Sequence, residues 1–168
     1  MCFAAPPSQL YGKSVVVAWN ENRIQRDIGT EQQPHPALNS VEYIVYVSTA
    51  GRTFERERRV ASSGGRAGGS SNQERAPSDA YTPNVKSGQL SFQSNKMTQI
   101  LKYESGARRV VVDFDSGFGS CTAEIIQGKE NGRPRIGTSS VTGRRVEILS
   151  IQIASPRCSI REGNAVAQ

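Results

Sequence analysis

Apolar and polar residues alternate at period two in several stretches of the chain, the spacing that places successive side chains on opposite faces of a β-strand. The clearest stretch covers residues 41–49, where Val or Tyr fills each odd position as far as Val47. An earlier stretch, residues 13–25, places Val15, Val17 and Trp19 on one face. Since no stretch repeats apolar residues every 3.6 positions over a helical length, the pattern predicts an all-β fold.

The same reading of the remaining chain gives about nine strands, mostly in hairpin pairs. The predicted strands cover residues 13–25, 41–49, 52–60, 89–92, 97–103, 108–114, 121–127, 144–154 and 157–161. Gly, Pro and Asn mark the connections, including loops over 27–39 and 128–143, and Ser155-Pro156 separates the last two strands. Because hairpin connections join antiparallel strands, we predict an antiparallel barrel or sandwich.

The length of 168 residues is that of one domain, which we place at residues 13–164. Within it, residues 61–87 carry runs of Gly and Ser, with almost no apolar side chains to offset the entropy lost on ordering. We therefore expect a disordered insertion there. Residues 1–12 are expected to form a flexible N-terminus, and residues 165–168 a tail.

Two cysteines lie on the apolar faces of predicted strands. Cys121 shares its face with Ala123 and Ile125, and Cys158 shares its face with Ile160. They are either small core residues or a buried disulfide, and their spacing lacks the Cys-x-x-Cys pattern of a zinc site. We predict the disulfide, which would close a loop of about 37 residues and contribute roughly 4 kcal/mol on the chain-entropy model.

The first residues, Met-Cys-Phe-Ala-Ala-Pro-Pro-Ser, resemble the tail of an export signal followed by a Pro-rich mature start. Such a signal would remove Cys2 and leave an even number of cysteines. No lipobox precedes Cys2, which argues against a lipid anchor, and no apolar run reaches the ~20 residues that span a bilayer. We expect a periplasmic or secreted protein if a signal lies upstream of Met1, and a cytoplasmic protein otherwise.

The net charge is +6, and 16 of the 21 basic residues are Arg. This balance favours anionic partners, although the interspersed acidic residues also fit a merely well-solvated surface. The densest basic stretch supplies four candidate anion-binding residues: Arg52, Arg56, Arg58 and Arg59. Residues 64–69 resemble one copy of the Arg–Gly repeats of RNA-binding tails. However, nearby glutamates offset the positive charge, and Tyr81 is the only aromatic residue of the insertion that could stack on a base. We expect an anionic polysaccharide or surface as partner, rather than nucleic acid.

Three aromatic residues, Trp19, Tyr43 and Phe54, have the parity that we assign to the inward faces of their strands. They could line a ligand cavity or fill a core. The segment Val17-Ala18-Trp19 resembles the first strand of lipocalins, although Val17 stands where that family has the glycine of its Gly-x-Trp motif. This resemblance implies an alternative function, the carriage of a small apolar ligand.

Two carboxylates near a turn, Asp113 and Asp115, are the candidates for catalysis or metal binding. The pair could act in a hydrolase. It could also begin a calcium loop, but the closing glutamate of such a loop is missing. The third alternative is structural, with the carboxylates accepting hydrogen bonds from the turn amides. His35, the only histidine, lies between two prolines in a predicted loop, where we expect it to be exposed and without partners for a triad or metal cluster. We therefore expect no catalytic residue, no metal and no cofactor.

Four stretches, at residues 12–26, 44–54, 108–121 and 157–164, are similar to a group of small exported proteins of soil alphaproteobacteria. The first begins Gly-Lys-Ser-Val-Val-Val-Ala-Trp-Asn-Glu-Asn-Arg, and the last reads Arg-Cys-Ser-Ile-Arg-Glu-Gly-Asn. The similarity implies export, and it implies no activity or site. Our expectation from the sequence is a non-enzymatic exported β-domain that binds an anionic polymer or surface.

Overall fold

The computed structural model describes residues 5–30, 33–63, 66–70, 90–103, 106–128, 135–139 and 142–168. Within these ranges the chain forms ten strands and two single-turn 3-10 helices. The strands are β1 Lys13–Asp27, β2 His35–Val47, β3 Thr53–Ser63, β4 Arg66–Ser70, β5 Ser91–Gln93, β6 Lys96–Tyr103, β7 Gly106–Phe114, β8 Cys121–Gln127, β9 Arg135–Thr138 and β10 Arg145–Glu162. The 3-10 helices are Ser8–Leu10 and Ala165–Ala167.

The strands form two sheets. The large sheet has the order β4-β3-β2-β1-β10-β9, and the small sheet has the order β5-β6-β7-β8. Neighbouring strands pair antiparallel throughout both sheets. The predicted all-β antiparallel class is confirmed, and the two sheets correspond to the sandwich alternative.

The apolar faces predicted from the sequence meet between the two sheets. In β1, Val15, Val17 and Trp19 are buried, and Val110 and Val112 of β7 face them from the small sheet. The same cluster also includes Leu10, Val41, Tyr43, Val45, Val47, Phe92, Met97, Leu101, Phe114 and Phe118. Removing this apolar surface from water, at about 25 cal/mol per Å², is the main driving force for sandwich formation.

β10 is one long strand, whereas the sequence predicted a break at Ser155-Pro156. Ala18 of β1 pairs with Arg157 and Asn20 pairs with Ala154, so two residues of β10 stand opposite the single residue Trp19. Ser155 has a positive φ of 53°, and together with Pro156 it forms a β-bulge. A bulge tolerates proline because the extra residue leaves the hydrogen-bonding ladder.

β2 starts at His35, inside the predicted loop 27–39. Pro36 pairs with Ile24 of β1, while the pairing of β2 with β3 begins only at Leu38. Among the described residues, Pro36 therefore has a paired strand on one side only. A strand tolerates proline at such an edge position, because the amide hydrogen that proline lacks is not needed there.

β3 has its faces opposite to the prediction. Phe54 pairs with Tyr46 and packs on the outer face of the large sheet, with a ring-centroid distance of 6.1 Å. Glu55 instead points toward the small sheet, where it bonds Tyr43 and Gln99. The prediction placed an aromatic residue inside and a carboxylate outside, but here the outer face has its own apolar cover and the inner carboxylate has hydrogen-bond donors.

The predicted insertion 61–87 is partly strand. β3 continues to Ser63, and β4 pairs with it through contacts such as Val60 with Ser70. Main-chain hydrogen bonds form such a ladder without apolar side chains, so the Gly and Ser composition did not prevent pairing. The rest of the predicted insertion, residues 64, 65 and 71–87, lies outside the described residues.

Both chain ends contain packed segments that differ from the predicted flexible ends. The N-terminal 3-10 helix buries Leu10 in the core between the sheets. The C-terminal 3-10 helix, capped by the side chain of Asn164, packs Ala165 and Val166 on the outer face of the large sheet. Residues 1–4, including Cys2, lie outside the described residues.

Candidate functional site

The predicted disulfide is present between Cys121 of β8 and Cys158 of β10, with their Cα atoms 5.5 Å apart. Both residues are half-buried against the core. Since β8 belongs to the small sheet and β10 to the large sheet, the bond ties the two layers of the sandwich together. A loop of 37 residues corresponds to roughly 4 kcal/mol on the chain-entropy model.

Two arginines of the predicted anion site are engaged within the fold. Arg56, which is buried, donates from Nη1 to the main-chain oxygens of Val166 and Gln168, at 2.8 Å each. Arg58 also donates to the Gln168 oxygen, and its Nη1 lies 3.4 Å from Glu42 Oε1. These guanidinium groups hold the C-terminal segment on the outer face of the large sheet.

The other two arginines do not complete an anion site with them. Arg52 is exposed, and its guanidinium carbon lies 5.6 Å from the centroid of the Phe54 ring, a cation–π geometry. The side chain of Arg59 lies outside the described residues. The predicted grouping of Arg52, Arg56, Arg58 and Arg59 as one open site is therefore not what the described side chains form.

The three aromatic residues proposed to line a cavity are not brought together. Trp19 and Tyr43 are 1% exposed in the core between the sheets. Phe54 lies on the opposite face of the large sheet, beside Tyr46 and Val166. Trp19 and Tyr43 therefore have the core role that the sequence left open.

Asp113 and Asp115 have separate structural partners. Asp115 accepts hydrogen bonds from the Gly119 and Ser120 amides at 2.8 and 3.1 Å, and from the Ser120 hydroxyl at 2.8 Å. The hydrogen bond from the Ser120 hydroxyl is the main cause of the lowered pKa of the Asp115 carboxyl. Asp113 lies 3.0 Å from Lys96 Nζ on the outer face of the small sheet. The part of the chain that the structure describes holds no cluster of three metal-ligating side chains.

His35 is the first residue of β2 rather than an exposed loop residue. It is half-buried, and its Nε2 lies 3.4 Å from Nε2 of Gln25, its partner in the ladder with β1. The strand extension beyond the predicted start of β2 accounts for this difference.

A buried ion cluster between the sheets was missed in the sequence. Glu21 of β1 is fully buried and accepts from Arg108 Nη1 of β7, which belongs to the small sheet. Trp19 Nε1 donates to the same carboxylate at 3.2 Å, and Arg23 Nε donates at 3.0 Å. Two guanidinium groups and an indole thus satisfy one buried carboxylate, as burial of a charge requires.

A second polar cluster, formed by Tyr43, Glu55 and Gln99, joins the sheets, and no cation of the described part of the chain is bonded to it. The Tyr43 hydroxyl and the Gln99 amide both donate to Glu55 Oε1. Burial is the main cause of the raised pKa of Glu55. Burial, and then the nearby Glu55 charge, raise the pKa of Tyr43 well above its ordinary value.

Strand parity could have identified the first cluster. Glu21 continues the inward series of Val17 and Trp19, and Arg108 precedes Val110 on the inward face of β7. Charged residues of opposite sign at core positions indicate a buried pair, provided that the two sheets are known to face each other.

A polar cleft lies where the β1–β2 turn meets the start of β10, and we call it the turn cleft. Its volume is about 470 Å³. Its lining includes the side chains of Arg26, Asp27, Ile28, Gln33, Pro34 and Glu147. Arg26 donates to Glu147 at 2.7 Å, and Asp27, only 6% exposed, has Arg144 Nη1 3.8 Å from its Oδ2. No pattern in the sequence predicts this cleft, because Arg26 and Glu147 meet only through the pairing of β1 with β10.

Three exposed arginines lie along the outer face of β10: Arg145, Arg157 and Arg161, the β10 arginines. Arg157 and Arg161 pair across to Ala18 and Ser14 of β1, and the intervening Cys158 points into the core. Within the described residues none of the three forms an ion pair. Their exposed guanidinium groups are therefore available to an external anion.

Comparison with known proteins adds no family to these observations. No family model, curated protein or solved structure matches the chain. Among the described residues, no helix is long and apolar enough to cross a membrane.

Proposed function

We propose that this protein is a non-enzymatic β-sandwich domain of the periplasm or extracellular space, and that it binds an anionic polymer or surface through the β10 arginines. The observation that carries the proposal is the exposure of these arginines, without acidic partners among the described residues.

The disulfide supports an oxidising compartment. Bonds such as Cys121–Cys158 persist in secreted and periplasmic proteins, whereas cytosolic thiols are kept reduced. The export-like start of the sequence agrees with this location.

The spacing of the cations supports an extended partner. Arg157 and Arg161 lie four residues apart on one face of a strand, roughly 13 Å at 3.3 Å per residue. A partner with repeated negative charges could contact both, and the net charge of +6 would assist its approach.

The two alternative functions gain no support from the site geometry. Trp19 and Tyr43, proposed for an apolar ligand, are packed core residues. Asp115, proposed for hydrolysis, bonds its own turn, and Asp113 pairs with Lys96.

The proposal can be tested with a double variant, Arg157→Gln with Arg161→Gln. Each cation near an anionic surface contributes about 1 kcal/mol, so affinity for sodium polygalacturonate and for polyphosphate should fall roughly 30-fold. Isothermal titration calorimetry measures the affinity, and for the unmodified chain it should weaken steeply with added salt.

The matched control is Lys102→Gln with Arg109→Gln, which removes the same charge from the outer face of the small sheet. Both control residues are exposed and lie on neighbouring strands. The control should bind like the unmodified chain. Equal losses in the two double variants, or no binding of either polymer by the unmodified chain, would refute the proposal.

A further inference from the structure

We infer that an uncharged patch on the outer face of the large sheet binds the sugar rings of an acidic polysaccharide, whose negative groups contact the β10 arginines. We call this patch the amide face. It consists of six residues in two rows across β2, β1 and β10: Leu38, Asn22 and Gln152 in one row, and Ser40, Asn20 and Ala154 in the next. The inference rests on the proposed function for the contribution of the arginines, whereas binding of sugar rings by the amide face can be measured without it.

Strand parity places the amide face on the outside of the sandwich. In β1, Asn20 and Asn22 alternate with the buried Trp19 and Glu21, and they therefore point away from the core. Asn22 stands directly opposite Gln152 in the ladder with β10. Residues opposed in this way have Cβ atoms about 4.5–5.5 Å apart, so the two side-chain amides can contact the same ligand.

Charged side chains begin only beyond the two rows of the amide face. On one side Arg26 donates to Glu147 at 2.7 Å, and on the other Arg58 lies 3.4 Å from Glu42. The carboxylates next to the face thus have cationic partners of their own. Because amides and hydroxyls cost less free energy to remove from water than charges do, a ligand can cover this face at a low desolvation cost.

The amides of the face have hydrogen-bonding groups available to a ligand. Asn22 and Gln152 are exposed, and within the described residues neither side chain forms a hydrogen bond. Asn20 Oδ1 accepts from the Ser40 hydroxyl at 3.2 Å, which leaves the Asn20 Nδ2 group as a donor. An amide both donates and accepts, as a sugar hydroxyl does, so the two match. A phosphate oxygen only accepts and would leave the amide oxygens without a donor.

Aliphatic side chains beside the amides suit the C–H groups on the faces of a sugar ring. Leu38 is 39% exposed, and Ile24, one row further along β1, is 41% exposed. Ala154 has a small side chain, so a ring can approach the sheet closely there. A ring that lies on this surface removes apolar area from water while its hydroxyls reach the amides.

The β10 arginines continue the same outer face, which favours an acidic polymer over a neutral one. Arg157 lies opposite Ala18, which is four residues from Asn22, or about 13 Å along β1. Arg161 follows four residues further along β10. The C-terminal 3-10 helix covers part of β1 and β2 here, so the polymer would pass on the β10 side, where Ser159 is exposed. A chain of sugar rings along this path would contact the amides with its hydroxyls and the arginines with its acidic groups.

Contact with sugar rings can be observed at the side-chain amides of ¹⁵N-labelled full-length protein. Hexagalacturonate should shift the side-chain NH2 resonances of Asn22 and Gln152, because its hydroxyls bond these groups. Polyphosphate should shift the side-chain resonance of Arg157 and leave the two amides in place, because it has charge without sugar hydroxyls. Unshifted amides with hexagalacturonate, or equal shifts with polyphosphate, would refute the inference.

The contribution of the face to affinity is measured with Asn22→Ala combined with Gln152→Ala. In isothermal titration calorimetry, polygalacturonate affinity should fall about tenfold, the loss expected for two hydrogen bonds between uncharged groups. Polyphosphate affinity should not change. The matched control, Gln93→Ala with Gln127→Ala, removes two exposed amides from the small sheet and should leave both affinities unchanged. An equal loss in the control would refute the inference.

Dextran, a neutral polymer of sugar rings, tests the acidic character of the ligand. It should bind roughly 30-fold more weakly than polygalacturonate at low salt, because it has no charge for Arg157 and Arg161. Equal affinities would overturn the choice of an acidic polymer. If Asn22→Ala with Gln152→Ala changed the molar mass in light scattering instead of the polymer affinity, the face would join copies of the chain, and the inference would be wrong.

Two results separate this inference from the proposed function. Binding of both polymers that is weakened by loss of Arg157 and Arg161, but unaffected by loss of the Asn22 and Gln152 amides, would keep the function and refute the amide face. Hexagalacturonate shifts at the two amides, with polymer affinities that do not depend on the two arginines, would keep the face and refute the function.

Discussion

Arg56 and Arg157 lie on the same outer face of the large sheet, yet their surroundings differ completely. Arg56, on β3, is buried beneath the C-terminal segment and donates to two main-chain oxygens. Arg157, on β10, is exposed and has no ion pair within the described residues. The comparison teaches that the density of arginines along the sequence does not locate a binding surface, because the fold uses some of them as structural donors.

The largest effect should come from an arginine buried between the sheets. Arg108→Met removes a cation from the buried Glu21 carboxylate and should lower the free energy of unfolding by about 3–5 kcal/mol. Urea denaturation of the oxidised protein measures the change. Arg109→Met, the next residue on the same strand but exposed, should change stability by no more than about 0.5 kcal/mol.

If the two variants lost similar amounts of unfolding free energy, the buried contact of Arg108 with Glu21 would contribute no more to stability than an exposed arginine does. A second check is the addition of Glu21→Gln to Arg108→Met. Because that change neutralises a buried carboxylate that has lost one of its two guanidinium partners, it should restore part of the lost stability.

An intermediate effect is expected for Arg56→Ala, which leaves the oxygens of Val166 and Gln168 without this donor. A loss of about 2 kcal/mol is expected, whereas Arg157→Ala should cost no more than about 0.5 kcal/mol. Urea denaturation again provides the measurement. If Arg157→Ala proved the more destabilising, the division between structural and available arginines would be wrong.

The smallest effect concerns Glu55, a half-buried carboxylate to which the described residues donate from the neutral groups of Tyr43 and Gln99. Its pKa is raised by burial, so its contribution to stability is complete below the unfolded value near 4.5 and is lost as pH rises through the folded pKa. Glu55→Gln should therefore gain stability relative to the unmodified chain between pH 4 and 8. Thermal unfolding across this range checks the sign, and a difference that is constant with pH would contradict it.

Strand parity predicted much of the fold. The inward series of Val15, Val17 and Trp19 and the pairing of Cys121 with Cys158 follow from periods of two, which depend only on local backbone geometry. The bulge at Ser155 could not be predicted in this way, because proline ends a strand unless the partner strand absorbs an extra residue.

The candidate site was less predictable, since its contacts join residues far apart in sequence. Glu55 points inward because Tyr43 and Gln99 satisfy it, and Arg56 is buried because Val166 returns to the sheet. Gln99 and Val166 lie far from β3 in sequence, so a local pattern cannot identify them as partners. The turn cleft likewise depends on the register that brings Glu147 beside Arg26.

The bulge in β10 also bears on association between copies of the chain. Beyond Ile148, β10 pairs with β1 alone among the described residues, so its other side is an edge that a further strand could join. The bulge at Ser155 twists that edge, Pro156 lacks an amide hydrogen, and Arg157 and Arg161 would face like charges on an approaching copy. Such features discourage edge-to-edge aggregation. The same short segment that offers cations to a polymer thus also protects the sandwich from pairing with itself.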